Sequence, residues 1–124
     1  MTKEEAILKV LSDLLEIEDV HACMVVRKNL EGLAPMTDEF KEEILGIWDI
    51  LQKTMNDIFD IISHYSTYGL DKIIFELGKQ EVIFFILPGS DTALVAVVPS
   101  LANRGFLMLE LENARRRIIG ILGK

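Results

Sequence analysis

The chain has 124 residues, of which 50% are hydrophobic and 27% are charged, and its formal net charge is −7. This length suits one domain that buries about two thirds of its unfolded surface. No segment approaches the roughly 18 consecutive apolar residues of a membrane-spanning helix. We therefore expect a single domain over residues 1–124 without membrane insertion.

The negative charge lies in the first half. Residues 1–60 carry 14 acidic and 6 basic side chains, whereas residues 61–124 carry 6 and 7. An acidic half and the absence of a basic stripe argue against nucleic acid as a partner. The single cysteine, Cys23, cannot form an internal disulfide, and the N-terminus shows no export signal. We expect a cytoplasmic protein.

The first elements are a helix and a strand. Residues 2–16 have apolar side chains at helical spacing, with Thr2 as the predicted N-cap. Val20 to Arg27 reads as a strand, and residues 28–32 read as a turn. Leu33 to Met36 is a predicted short partner strand, whose proline suits an edge position.

The longest predicted helix runs from Thr37 to about Ser63. At about 100° per residue its apolar arc covers roughly 220°, about twice what one packing face requires. Such a helix needs two neighbours, one of which is the sheet and the other plausibly a second copy of the same helix. A central stripe is widened on one side by Leu45, Trp48 and Phe59 and on the other by Ile50 and Ile61, while Asp49, Lys53, Asn56 and Asp60 form the polar side.

Three strand-like runs follow, Asp71–Leu77, Glu81–Leu87 and Thr92–Val98, separated by short turns that contain glycine or proline. This pattern predicts an antiparallel meander. Val82 to Leu87 has no polar residue, so helices must cover both faces of the sheet. A last helix is expected after a cap at Asn103, with a stripe formed by Leu107, Leu111, Ala114, Ile118 and Ile121.

The element order α-β-β-α-β-β-β-α and the run Asp91–Leu111 resemble the roadblock family, which is related to the dynein light-chain roadblock proteins. The run combines a hydrophobic strand, a short loop with Asn103, Gly105 and a Leu-rich helix start. Asp19 to Gly32 also matches in kind, although Asn29-Leu30-Glu31-Gly32 replaces the frequent Asp-Gly turn of the family.

The resemblance implies an α/β (α+β) fold, a profilin-like three-layer α-β-α sandwich with a five-stranded antiparallel sheet. The long helix would cover one face and the terminal helices the other. It also implies a homodimer with antiparallel long helices and paired first meander strands. This agrees with the sequence pattern, in which Asp71–Leu77 would otherwise be an exposed edge. Family members are scaffolds and regulators of small Ras-like GTPases, or light chains of motor complexes.

The predicted dimer or partner interface combines one side of the long helix with the first meander strand. Trp48 and Phe59 lie about 20° apart on the rim of the apolar arc, where a core role and an interface role are equally good interpretations. The full set is Leu45, Trp48, Asp49, Gln52, Lys53, Asn56, Phe59, Lys72, Ile74 and Glu76.

Catalytic, cofactor and metal sites are not predicted. His21 and His64 lack metal-ligand spacing, and Cys23 has no visible base beside it. Arg115–Arg117 suggest an arginine finger or a contact with anionic lipid, but consecutive helical residues point about 100° apart and cations are favoured near a helix C-terminus. Arg104 is a similarly weak candidate for such a finger.

The leading hypothesis is a non-enzymatic homodimeric scaffold or regulator that binds a small Ras-like GTPase and modulates its hydrolysis, exchange or localisation. The alternative is an adaptor or light-chain-like module of a motor or sensory complex. A small-molecule sensor is more distant, since we expect no converging polar residues around a pocket.

Overall fold

A computed structural model describes residues 2–29, 32–34, 42–100 and 104–123, with the backbone alone for residues 42–44. The helices and strands follow the predicted order with one exception, treated below. They are α1 (Lys3–Leu15), β1 (Ala22–Arg27), α2 (Glu42–Tyr65), a 3-10 turn (Ser66–Tyr68), β2 (Lys72–Leu77), β3 (Gln80–Ile86), β4 (Thr92–Pro99) and α3 (Arg104–Leu122).

The strands form one antiparallel sheet in the order β1-β4-β3-β2. The meander is therefore as predicted, and β1 is added beside β4. Leu77 pairs with Gln80 across a two-residue loop whose first residue, Gly78, has φ +66°. A positive φ at this position favours glycine, and it allows the tight hairpin between β2 and β3.

Helices cover both faces of the sheet, which confirms the three predicted layers. On one face α1 and α3 pack against alternate sheet residues such as Cys23, Phe85 and Leu94. On the other face α2 packs against the intervening residues, including Met24 and Phe84. The period of two along each strand delivers apolar side chains to both cores, which is why β3 has no polar residue between Val82 and Leu87.

The prediction of a five-stranded sheet is wrong for the described residues, which form four strands. The expected partner of β1 is reduced to a single bridge, in which Val25 and Leu33 exchange two backbone hydrogen bonds of 2.9 and 2.7 Å. Proline has no amide hydrogen with which to extend a ladder, and Pro35 and Met36 lie outside the described residues.

The helix ends agree with the sequence where they are described. The Thr2 hydroxyl accepts a hydrogen bond of 3.1 Å from the Glu5 amide, so the predicted N-cap of α1 is confirmed. The predicted start of the long helix at Thr37 and the cap at Asn103 lie outside the described residues. In α3 the predicted stripe is buried at Leu107, Leu111, Ala114 and Ile118 and partly buried at Ile121.

Candidate functional site

Helix α2 divides its wide apolar arc between the sheet and solvent. Its inner side is buried against β1, β3 and β4 and comprises Trp48, Leu51, Met55, Ile58, Phe59 and Ile62. One flank remains outside: Ile50 is 62% exposed and Ile61 is 50% exposed. The sheet therefore covers only part of the arc, and we call Ile47, Ile50, Ile61 and Tyr65 the apolar flank.

The predicted interface roles of Trp48 and Phe59 are corrected by their burial. Phe59 is fully buried and Trp48 is only 9% exposed, and both belong to the core between α2 and the sheet. The equally weighted core interpretation is the one that holds. Hydrophobic periodicity gives the width of an apolar arc, but the direction from which the sheet approaches decides which part of the arc it covers.

A cavity of about 660 Å³ opens between α2 and the β1 edge of the sheet. Met24, Val26 and Met55 provide apolar lining, and Gly32 lies beside them. The polar lining consists of Arg27, Asn29, Gln52 and Asn56. The expectation that polar residues do not converge on a pocket is therefore wrong.

The cavity also fixes the orientation of α2. Gln52 and Asn56 turn towards β1, and β1 and β2 are opposite edges of the sheet. At about 100° per residue, Ile50 and Ile61 lie on the other side of the buried face from Gln52. The apolar flank therefore lies towards β2.

Strand β2 is the exposed edge of the sheet. None of its six residues is buried, whereas all seven residues of the neighbouring strand β3 are. Phe75 and Leu77 expose 37% and 47% of their surfaces, although Phe75 also makes an edge-to-face contact with Phe84 at 5.9 Å. Within the described parts of the chain, no strand pairs with the outer side of β2. The helix flank and the strand edge thus both leave apolar side chains exposed towards the β2 edge of the sheet.

The three predicted interface residues of β2 share the face towards α3. Lys72 forms an ion pair with Glu112 at 3.6 Å and lies 5.8 Å from the ring centroid of Phe85. Ile74 is 41% exposed, and Glu76 is exposed directly opposite Glu81 of β3. All three are accessible to a partner at this edge.

The remaining predicted residues lie on α2. Asp49 and Lys53 form an exposed ion pair of 3.0 Å, and Gln52 and Asn56 are exposed beside the cavity. Leu45 is also exposed, on the side of the helix that faces away from Ile50. These five residues and β2 do not form one patch, because the apolar flank lies between them. We define the polar ridge as Asp49, Gln52, Lys53, Asn56 and Asp60.

Three of the four arginines considered as fingers, Arg104, Arg115 and Arg117, form ion pairs within the chain. Arg104 pairs with the buried carboxylate of Glu81. Arg115 contacts Asp71 at 2.7 Å and Glu112 at 2.8 Å, and its guanidinium lies 5.7 Å from the ring centroid of Phe85. These contacts tie α3 to the meander, and they were not predicted, because the sequence argument considered only the direction of the side chains and the helix dipole.

The cysteine and the two histidines are explained by burial or by local polar contacts. Cys23 is fully buried, and this burial raises the pKa of its thiol to about 12, which makes a nucleophilic thiolate unfavourable. His21 Nδ1 lies 3.0 Å from the Gln80 amide oxygen, and His64 Nδ1 lies 2.6 Å from the Asp60 carbonyl oxygen. Within the described ranges, no cluster of three His, Cys, Asp or Glu side chains has metal-binding geometry.

The predicted interface set leaves out two parts of the surface, the apolar flank of α2 and the end of the cavity beside β1. Ile50 and Ile61 were recognised as apolar but were not included, since the large aromatics on the opposite rim gave the stronger signal for an interface. Arg27 is the last residue of β1, and Asn29 lies two residues further on, where a φ of +62° marks a turn. Asparagine tolerates this conformation, so the Asn29–Gly32 turn was the available signal for the cavity.

No helix in the described portion has both the length and the hydropathy to cross a lipid bilayer. No protein-family model matches the sequence. No curated protein matches it at the sequence level.

Solved structures, in contrast, match nearly the whole chain. MglB from Myxococcus xanthus has a TM-score of 0.73 at 17% identity, covering 97% of this chain and 90% of that one. The Roadblock/LC7 domain from Streptomyces avermitilis has a TM-score of 0.66 at 13% identity, covering 94% and 98%. The gliding protein MglB from Thermus thermophilus has a TM-score of 0.60 at 14% identity, covering 98% and 91%. The chain therefore has the fold of the roadblock proteins, as its sequence resemblance predicted.

Proposed function

We propose that this protein is a non-enzymatic, cytoplasmic homodimer that binds a small Ras-like GTPase as a scaffold or regulator. The observation that carries the proposal is the exposure of two apolar surfaces, the apolar flank of α2 and the outer edge of β2, both towards the β2 edge of the sheet. The roadblock fold and the family resemblance support the choice of partner.

A second copy of the chain satisfies both surfaces at once. Antiparallel pairing of two β2 strands joins the sheets, and it brings the two α2 helices side by side on the same face. Ile50 and Ile61 then pack against their counterparts, which removes apolar surface from water at about 25 cal/mol per Å². Removal of the exposed strand edge also protects the protein against aggregation.

The dimer presents the two polar ridges as one platform. Asp60 gives each ridge a net charge of about −1, because the ion pair between Lys53 and Asp49 neutralises the other carboxylate. The whole chain carries a net charge of −7, so its field favours a basic partner surface. We place the GTPase on this platform, with electrostatic attraction accelerating the encounter.

Light scattering tests the dimer. Wild-type protein at micromolar concentration should have twice the mass of one chain, whereas Ile50→Asp should be a folded monomer because a charge would be buried at the helix contact. Leu109→Asp, at another exposed apolar position in a helix, is the matched control and should remain dimeric. A monomeric wild type would contradict the proposal.

Pull-down with GTP- and GDP-loaded small Ras-like GTPases from the same source tests the partner. We expect retention that depends on the bound nucleotide, and weakening by Asp60→Lys on the platform. Glu4→Lys, which makes the same charge change at an exposed position of α1, should bind normally. Retention of none of these GTPases by a dimeric protein would contradict the proposed partner and favour an adaptor for a motor or sensory complex.

A further inference from the structure

The backbone of β2 shows which groups are available for pairing at the edge. Leu77 and Gln80 close the two-residue loop, and the Ile86 amide donates to the Asp71 carbonyl at 2.9 Å. Odd-numbered residues of β2 are therefore bonded to β3. Because hydrogen bonding alternates along an antiparallel strand, the amides and carbonyls of Lys72, Ile74 and Glu76 point towards the outer edge.

Twofold symmetry limits the ways in which two such edges can pair. An axis perpendicular to the sheet keeps the α2 faces of both copies on the same side, and directly opposite residues share a face. An odd-numbered residue must then pair with an odd-numbered residue of the second copy, and an even-numbered one with an even-numbered one. The twofold axis therefore passes between the two copies of a single residue. Near the middle of β2, the residues that could lie at the axis are Ile73, Ile74 and Phe75.

Charge and hydrogen bonding distinguish these three registers. With Ile74 on the axis, Lys72 faces the partner's Glu76 twice, Ile73 faces the partner's Phe75, and all three outward residues form hydrogen-bonded pairs. With Ile73 on the axis, Lys72 faces the partner's Ile74. With Phe75 on the axis, Glu76 faces the partner's Ile74 and Lys72 falls opposite Gly78 in the turn.

We propose that the occupant of the β2 edge is a second copy of this chain in the register that places Ile74 on the twofold axis and pairs Lys72 with the partner's Glu76. This inference rests on the proposed homodimer and specifies its geometry. The two intermolecular ion pairs flank a central Ile74–Ile74 contact, so charge complementarity selects one alignment of the continuous eight-stranded sheet.

The charges within one protomer support this register. Glu76 lies directly opposite Glu81 in β3, and like charges in opposite positions are destabilising. Arg104 compensates the charge of Glu81. A lysine on the outer side of Glu76 supplies a second cation next to this pair of carboxylates, and the partner's Lys72 stands there only when Ile74 is central.

Disulfide cross-linking between single introduced cysteines measures the register directly. Residues at the axis are about 5.5 Å apart in a hydrogen-bonded pair and about 4.5 Å apart otherwise, and both separations suit a disulfide. Under mild oxidation Ile74→Cys should give a covalent dimer, while Ile73→Cys and Phe75→Cys should give little. Native Cys23 is fully buried, and the wild type serves as the blank.

Each result has a defined meaning. Preferential cross-linking at position 73 or 75 of a dimeric protein would overturn the register while leaving the dimer intact. A monomeric wild type by light scattering would overturn the proposed dimer as well. Cross-linking at position 74 alone supports both.

Charge reversal gives an independent readout. Lys72→Glu and Glu76→Lys should each weaken dimerisation about 10- to 100-fold, since each replaces two attractive cross-strand pairs by two repulsive ones. The double variant should recover most of the wild-type affinity. Lys79→Glu, in the exposed β2–β3 turn, is the control for net charge. Additive losses in the double variant would contradict the pairing.

Discussion

Strands β1 and β2 are both outer strands of the sheet, yet their surroundings differ. Five of the six residues of β1 are buried, whereas none of those in β2 is. β1 has α1 and α2 on its two faces, and the Leu33 bridge lies at its edge. β2 also carries apolar side chains but lacks that cover, as we expect if a second copy of the chain completes its surroundings.

The same contrast occurs within α2. Phe59 and Ile62 are fully buried against the sheet, whereas Ile50 and Ile61 are at least half exposed on the flank towards β2. Both the strand and the helix flank are uncovered on one side of the molecule. The β1 side of the chain is therefore covered and the β2 side is exposed, and the following predictions test this difference.

The largest effect on stability is expected for a side chain that is buried between α2 and the sheet. Phe59→Ala should lower the free energy of unfolding by about 3–5 kcal/mol, because it removes a fully buried ring and leaves a cavity. Urea unfolding at low protein concentration measures it. Ile61→Ala, on the same helix but half exposed, should cost less than about 1 kcal/mol there. Equal losses would remove the distinction between the two sides of α2.

The two outer strands should respond differently to protein concentration. Met24→Ala in β1 should cost about 2–4 kcal/mol at any concentration, since this side chain is buried within its own protomer. Leu77→Ala in β2 should cost little in dilute solution and more as the dimer forms, by mass action. Thermal unfolding over a concentration series compares the variants. A Leu77→Ala effect that is independent of concentration would oppose this assignment.

Loss of the ion pair between α3 and β3 should have a smaller effect on stability. Arg104→Met should destabilise by about 1–3 kcal/mol, because the Glu81 carboxylate stays buried without its partner. The half-exposed guanidinium places the result towards the lower end. Arg116→Met, at an exposed position of α3, should change stability within about 0.5 kcal/mol. Urea unfolding of both variants measures the difference.

The smallest effect under ordinary conditions concerns Cys23. Burial raises the pKa of its thiol from 9.0 to about 12, so this contribution to stability is complete below pH 9 and is lost as the pH rises from 9 towards 12. Cys23→Ala should remove this alkaline component. A thiol reagent at pH 8 should label wild-type protein only after unfolding, and rapid labelling of the folded protein would contradict the burial.

The sequence predicted those features that depend on local periodicity. The Thr2 cap, the meander with Gly78 in its turn and the buried stripe of α3 all follow from spacing and turn chemistry. Two-sided burial of β3 followed from its lack of polar residues, and this required helices on both faces. Each of these signals is contained within a short stretch of chain.

The errors concern contacts between distant stretches. Periodicity could not tell which rim of α2 meets the sheet, so Trp48 and Phe59 were chosen where Ile50 and Ile61 remain exposed. Within the described residues the predicted fifth strand is a single bridge at Leu33, because strand propensity does not determine how many residues pair with β1. The cavity beside Arg27 and Asn56 depends on the placement of α2 over the sheet, which is a long-range property.

Amide hydrogen exchange at the β2 edge is the most direct test of the account. The amides of Lys72, Ile74 and Glu76 face outward, whereas those of Ile73 and Phe75 bond to β3 and serve as controls in the same strand. We predict that the outward amides are protected at high protein concentration and lose protection on dilution, while the controls stay protected. Fast exchange of the outward amides at every concentration, with the controls protected, would contradict the claim that a second copy completes this edge.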